Sequence, residues 1–314
     1  MRRVYVLHEC REWFQPLGAA LSALGVPYEE WFLDGEPLPL GDTPPDGIFF
    51  NRLSASAHTR NHPLAVEQTR TILRWLAAHG RRVVNGGEAL ELAMSKAALL
   101  PALAASGLAV PESRVAFGAA GLAAAAEGLD GPFLVKPNRS GKGIGIERFE
   151  SAEALRERLA AGAAPESVDG VYLVQRYLAP RDPFITRLEF VGGRLLYALR
   201  SGLDGGFNLC PADFCALPAA AAADRPRFVI DRAADIPDLP RYLAFLRRHR
   251  VEVAAVEFLV DAAGKAWTYD LNINTNYNAV AEAAAGVSGM AAIAAFLART
   301  LAGDASPLLQ ANAA

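Results

Sequence analysis

A mixed α/β and α+β fold, assembled from three successive stretches, is predicted by three features of this 314-residue chain. Short apolar strands alternate with a helical pattern over the first ninety or so residues. A strand, a glycine-rich loop and a second strand follow one another in the middle, and two long hairpins with a closing apolar helical pattern fill the remainder.

In the first stretch, strands are expected at residues 4–7, 47–50 and 82–84, with a helix over 64–78 that Gly80 closes. The size suits a small α/β unit. Its second strand runs into "FFNRLSASAHTRNH". Strand ends in open α/β sheets face ligand crevices, so Arg52 or Arg60 could hold a substrate carboxylate, and Arg52 is the named candidate; a polar surface loop is the alternative reading. His58 and His62 are four apart, but Pro63 follows and no third metal ligand is evident.

The middle stretch opens on a helix expected over 94–106 that carries Lys96. It continues through "FLVKPNRSGKGIGIERF". Gly141, Gly143 and Gly145 leave backbone N–H groups bare as phosphate-cradling loops do, Ser140 precedes them, and Lys136 and Lys142 add positive charge. Neither familiar phosphate loop fits. A Walker A loop has Gly where Lys136 stands and Ser or Thr where Gly143 stands; the dinucleotide fingerprint has Gly at Ile146 and a helix where 144–149 alternate like a strand. An ordinary flexible hairpin has the same signature. Ser151 then starts a helix with Glu153 in its first turn.

The third stretch carries its information in strand parity. In "FITRLEFVGGRLLYALRS" the Gly192-Gly193 turn pairs Val191 with Arg194, Arg187 with Ala198 and Arg200 with Ile185. One face then holds Leu188, Phe190, Leu195, Tyr197 and Leu199, and the other Arg187, Glu189, Arg194 and Arg200. Glu189 and Arg194, near the turn, are expected on solvent. In the second hairpin, pairing Val260 with Lys265 puts Glu257 opposite Thr268, with Asp270 and Asn272 on the same face and Tyr269 on the other. Glu257 sits in an otherwise apolar strand, where an unpaired carboxylate is costly. A hard divalent cation held by three oxygen donors would satisfy it, and so would a buried salt bridge.

Composition sets the class. With 52% hydrophobic and 21% charged residues the chain has ample material for a core. A net charge of -3 and the lack of a basic run interleaved with aromatics leave no footprint for nucleic acid. The N-terminus reads as a strand rather than a signal peptide, and the apolar stretch 286–297 is too short to span a bilayer, so a cytoplasmic location without membrane contact is expected. Cys10, Cys210 and Cys215 fit neither a disulfide framework nor a zinc spacing and read as reduced residues. The alanine-rich stretch 219–223 reads as a surface loop.

The glycine loop between strands, the lysine before it, the arginine-bearing hairpin and the late acidic pair ending in Asp-x-Asn together resemble the ATP-grasp superfamily. The likeness runs from about Asn85 to Asn278 and is strongest to the RimK-like branch of glutamate ligases. It implies an N-terminal pre-ATP-grasp domain (1–92) and an ATP-grasp domain (93–314), with a central lid over about 114–174 and a C-terminal antiparallel subdomain. Lys96 and Lys136 match the nucleotide lysines, and Gln175, Arg176, Tyr177 and Leu178 the adenine hinge. Glu257, Asp270 and Asn272 match the magnesium ligands, Arg187 and Arg200 would act catalytically near the transferring group, and Asn274 would support the metal site or touch substrate.

Three positions depart from the pattern: Arg176 and Asp270 each stand where Glu is usual, and Ile185 where Asp is common, leaving Asp182 as a distant substitute. The implied activity is ADP-forming amide synthesis from a carboxylate and an amine, on small molecules or peptides, with ATP and Mg2+. An acyl phosphate is the intermediate and the glycine loop the lid. A non-catalytic ATP-binding regulatory protein and a kinase on the same fold are the alternatives. The sequence leaves the oligomeric state open, and a homo-oligomer is compatible with it.

Overall fold

The computed structural model describes residues 2–203, 226–236 and 238–303. Cys210, Cys215 and stretch 219–223 lie outside them. The first unit is a parallel sheet in the order β2-β1-β3-β4, from β1 (Arg3–His8), α1 (Arg11–Ala23), β2 (Tyr28–Phe32), β3 (Gly47–Asn51), α2 (Ala65–Ala78) and β4 (Arg82–Val84). Residues 4–7, 47–50 and 82–84 are strands as expected. Strand β2 has no sequence signal because Tyr28-Glu-Glu-Trp-Phe lacks alternation; it is an edge strand with both glutamates toward solvent.

The helix expected over 94–106 is two helices, α3 (Gly87–Met94) and α4 (Lys96–Ala105). Ser95 breaks them by turning extended (φ -137°, ψ 109°) and capping α4, its Oγ accepting from Ala98 N. Lys96 is therefore the first residue of a helix rather than an interior one.

The second sheet is antiparallel, in the order β5-β8-β6-β7: β5 (Ser113–Phe117), β6 (Phe133–Pro137), β7 (Glu147–Phe149) and β8 (Val171–Arg176), with α5 (Leu122–Ala126) and α6 (Ala152–Ala160). Ser151 caps α6 through Ala154 N. Leu122, Phe133, Val135 and Leu155 form a small core belonging to this sheet alone. By contrast, the main core runs without a break from Phe49, Leu76 and Leu90 to Phe190, Phe245 and Phe258, joining the first sheet to the third.

That third sheet orders its strands β11-β10-β9-β12-β13. It comprises β9 (Phe184–Val191), β10 (Arg194–Gly202), β11 (Phe228–Asp231), β12 (Val253–Val260) and β13 (Ala266–Asn272), covered by α7 (Leu239–Arg248), α8 (Ala279–Ala285) and α9 (Gly289–Ala302). Two bulges correct the expected registers. Between β9 and β10, Val191 faces Arg194 as expected, but the ladder slips at Leu196, so Tyr197 faces Glu189, Leu199 faces Arg187 and Arg200 faces Thr186. Arg200 thus leaves the face of Arg187, while Tyr197 and Leu199 join it. Between β12 and β13, Val260 faces Ala266 and Phe258 faces Thr268; a bulge at Tyr269 then sets Glu257 directly opposite Asp270. Two one-residue slips cancel in parity, which is why the acids still share a face. Among the described residues no single helix is long and apolar enough to cross a membrane.

Candidate active site

A cavity of about 320 Å³ opens between the second and third sheets and is closed at one end by the first unit. Its volume lies within the range of small-molecule sites. Leu134, Lys136 and Gln175 come from the second sheet, and Ile185, Arg187, Glu257, Leu259, Asp270 and Asn272 from the third. Lys96 enters from the first turn of α4, and Trp13, Ser54 and Ser56 form the far wall.

At one end the lining is apolar: Pro111, Leu134, Leu178, Pro180, Ile185 and Leu259. The matched hinge residues lie here, but their groups are partly committed. Gln175 accepts from Lys136 Nζ at 2.6 Å and donates to Ser113 Oγ at 2.9 Å, so it anchors the lysine. Arg176 donates its backbone N–H to Glu112 O and its guanidinium to the Glu112 carboxylate at 2.7 Å. Tyr177 N–H is bonded to Pro132 O, with Arg148 stacked 4.3 Å above its ring.

The middle is cationic. Lys96, Lys136, Lys142, Arg176 and Arg187 line the cavity against only two carboxylates, Glu257 and Asp270. Lys136 is buried, and burial together with the charge of Lys96 pushes its pKa down to about 8. Lys96 Nζ donates to Ser140 O at 3.3 Å and stands 4.0 Å from Asp270 Oδ1. With Arg176 paired to Glu112 and Arg187 to Glu189 and Glu257, the three lysines face Asp270 alone, an excess of positive charge that suits a bound anion.

The glycine loop is folded down over this zone. Gly143 (φ +71°), Gly145 (φ +74°) and Lys142 (φ +61°) are all left-handed. A Cβ at Gly145 would lie 2.7 Å from Pro137 Cγ, and one at Gly141 would lie 3.2 Å from Ser56 Cβ. The loop therefore touches the first unit, and Lys142 sits 4.9 Å over the Trp13 ring. Asn138, which the sequence reading passed over, ties the loop to α4: its Oδ1 accepts from Ser95 Oγ and Ala97 N, and its Nδ2 donates to Asp169.

Across the third sheet, Arg187, Glu257 and Asp270 stand side by side on β9, β12 and β13. Arg187 donates Nη1 to Glu257 Oε1 at 2.7 Å and Nε to Glu189 Oε1 at 2.5 Å. Burial works against its charge, but the two carboxylates hold its pKa well above the usual value. Burial pushes Glu257 up, with Arg187 opposing. Glu189, expected on solvent, is fully buried, and burial raises its pKa to about 7. Asn272 donates to Asp270 Oδ2 at 3.1 Å. Tyr269, expected on the opposite face, lines the cavity because of the bulge; its hydroxyl is pushed far up by burial and by Glu257.

Among the described residues no group of three or more His, Cys, Asp or Glu side chains is placed to hold a metal ion. Glu257 and Asp270 nevertheless stand opposite each other beside the lysines of the cavity, with the Asn272 amide next to Asp270. This fits a hard divalent cation such as Mg2+, which takes one or two carboxylates and draws its remaining ligands from phosphates and water.

Five expected residues lie elsewhere: Gly145 packs on Pro137 and Arg60 pairs with Glu9, both outside the cavity lining. Arg200 is exposed, paired with Asp231 and stacked 4.7 Å over Phe184, outside the cavity lining. Arg52 is buried rather than open to substrate. It donates to Trp13 O (2.9 Å), Thr275 O (3.1 Å) and Asn276 Oδ1 (3.2 Å), and burial lowers its pKa to about 10. Asp182 is tied to Arg181. The asparagine run divides its labour: Asn272, Asn274 and Asn276 line the cavity, and Asn278 caps α8 through Ala281 N. Trp13, Ser54 and Ser56 were not legible because only the folded first unit brings them to the cavity.

No protein-family model matches the chain, and no curated protein does. Solved structures do. A RimK domain ATP-grasp protein from Sphaerobacter thermophilus superposes with a TM-score of 0.65 at 19% identity, covering 94% of this chain and 98% of its own. The ATP-grasp ligase PsnB, complexed with a minimal precursor, gives 0.65 at 17% identity over 95% and 100%. D-alanyl-alanine synthetase A from Vibrio cholerae gives 0.65 at 12% identity over 96% and 99%. The chain has the ATP-grasp fold.

Proposed function

We propose that this chain is an ATP-dependent ligase that joins a carboxylate to an amine through an acyl phosphate, with release of ADP and phosphate. The observation that carries the reading is the sequence of zones along one cavity. An apolar slot lies at one end, a lysine-rich zone facing the Glu257, Asp270 and Asn272 oxygens lies in the middle, and a neutral polar wall closes the other end. PsnB, solved with Mg and ADP at a TM-score of 0.67, supports the nucleotide and the metal.

On this reading the apolar slot takes the base, with the backbone of residues 176–178 at its edge. Lys96 and Lys136 hold the phosphates, and Arg187 faces the transferring group. Magnesium, when held by Glu257, Asp270 and Asn272, supplies charge neutralisation between the phosphates. The second sheet, with its own small core, is the lid (about 114–174) that lowers the glycine loop and keeps water from the acyl phosphate. Trp13, Ser54, Ser56, Asn274 and Asn276 line the space left for the carboxylate and amine, while Arg200 and Arg52 have no part in the chemistry.

A carboxylate is a poor electrophile at neutral pH. Attack of its oxygen on the terminal phosphorus of ATP makes the acyl phosphate and expels ADP; the amine nitrogen then takes the acyl carbon and phosphate leaves. The test is phosphate release from ATP across a panel of amino acids, glutamate included, and short peptides, with products weighed by mass spectrometry. Phosphate is expected only when a carboxylate and an amine are both present. A stable phosphorylated product without an amide would make the chain a kinase, and nucleotide binding without turnover across the panel would make it a non-catalytic binder.

A further inference from the structure

Two adjacent rows of residues cross the third sheet on the cavity side. One runs Leu199, Arg187, Glu257, Asp270 and the next Tyr197, Glu189, Ala255, Asn272. The first row contains the ion pair and the second contains a carboxylate that the sheet itself does not need. Glu189 is fully buried, spends Oε1 on Arg187 Nε, and leaves Oε2 without a hydrogen-bond partner. Burial of a carboxylate with an unmet oxygen is unfavourable. Glu257 alone already neutralises Arg187, so charge balance in the described state does not call for a second acid.

The rows supply the reason. Glu257 has two claimants: Arg187 on one side, and a cation shared with Asp270 on the other. A carboxylate committed to a buried guanidinium at 2.7 Å is a poorer ligand. A divalent cation at Glu257 would in turn repel a guanidinium so close. Ala255 stands between Glu189 and Asn272 in the second row, and Glu189 is outside the cavity lining. Glu189 therefore reaches the arginine without reaching the cation.

Resting on the proposed role of Glu257 as a cation ligand, we infer that Glu189 is a positioning residue that keeps Arg187 in place when Glu257 turns from the guanidinium to the metal. It acts as the standing partner of Arg187, so that the acid shared with the cavity is free to change partners. The arginine then stays aimed at the transferring group rather than following Glu257 or swinging away.

The test uses Mn2+ titrated with a non-hydrolysable ATP analogue, read by calorimetry and by the spin-resonance signal of free Mn2+, on the full chain. Glu189→Gln keeps size and hydrogen bonding but removes the charge. Its Mn2+ affinity is expected to weaken about tenfold, as for other residues that orient metal ligands, while its metal-free affinity for the analogue changes little. A merely structural role would weaken both alike and lower the unliganded melting temperature in proportion, and that outcome overturns the inference. Arg187→Met and the double variant Arg187→Met/Glu189→Leu close the cycle. Because Glu189 acts through Arg187, the two are expected to bind Mn2+ equally, and a further loss in the double variant would also overturn it. Wild-type Mn2+ affinity in Glu257→Gln would instead remove the cation-ligand reading and this inference with it, whereas unchanged affinity in Glu189→Gln alone removes only the inference.

Discussion

Two buried arginines hold this molecule together in opposite ways. Arg52 joins the first unit to the asparagine segment through two main-chain carbonyls and one amide oxygen, and burial pulls its pKa down to about 10. Arg187 is as deeply buried but sits between two carboxylates, which raise its pKa. Carbonyl partners cannot leave or change charge, so Arg52 is a fixed clasp. Carboxylate partners can be shared with a cation, so Arg187 belongs to a rearrangeable set. Burial alone does not separate structure from chemistry; the charge of the partners does.

The comparison breaks first at Arg52. Arg52→Met strands Trp13 O, Thr275 O and the Asn276 amide in the interior, and a loss of about 3 kcal/mol is expected in urea unfolding. No compensating change is available, since two of the partners are main chain. Arg187→Met strands Glu189 and Glu257, but there a second substitution can help. Arg187→Met/Glu189→Leu is expected to regain about 1–2 kcal/mol over the single variant, because apolar replacement of a buried ion pair is often tolerated. Equal unfolding midpoints for the single and double variants would place Arg187 in the same class as Arg52.

A third expectation concerns pH. Lys136 titrates near 8 in the ligand-free protein, below the ordinary lysine value, because of burial and Lys96. The folded state therefore binds fewer protons than the unfolded one between about pH 8 and the ordinary lysine pKa, and unliganded stability rises with pH across that window. Phosphate binding favours the protonated lysine, so ATP affinity should fall as pH rises through 8, by up to about tenfold per unit. Lys136→Met should abolish that slope, and a slope that survives in the variant would assign it to another group.

Strand parity made the acidic face legible from the sequence, but only because two slips cancelled between β12 and β13. The single slip at Leu196 had no such compensation. It carried Arg200 off the face and brought Tyr197 opposite Glu189, burying an acid that its nearness to a turn had suggested was solvated. Bulges are set by how a strand meets both neighbours, and a hairpin read alone shows one neighbour. Arg52 was misread for a related reason: its partners Thr275 and Asn276 are more than two hundred residues away in the chain. Lys96, Lys136 and the glycine loop were legible because their geometry is local to one helix start and one strand end. Asn138, between them, had the same local signal and was passed over.

The smallest expected effect belongs to Tyr269. Its hydroxyl is buried beside the Glu257 carboxylate, which helps to push its pKa up, and its ring lies 5.4 Å from Lys136 Nζ. Tyr269→Phe keeps the ring and should change unfolding free energy by no more than about 0.5 kcal/mol. A larger loss would mean that the hydroxyl supports Glu257.

The claim that Glu257, Asp270 and Asn272 hold the cation of a nucleotide is tested most directly at Asp270, where Asn keeps the size and one oxygen but removes the charge. Affinity for a non-hydrolysable ATP analogue, measured by calorimetry with and without Mg2+, is expected to rise with Mg2+ in the wild type and to lose that rise in Asp270→Asn, with the melting temperature of the unliganded protein unchanged. Equal enhancement by Mg2+ in the two proteins would contradict it and move the metal site elsewhere.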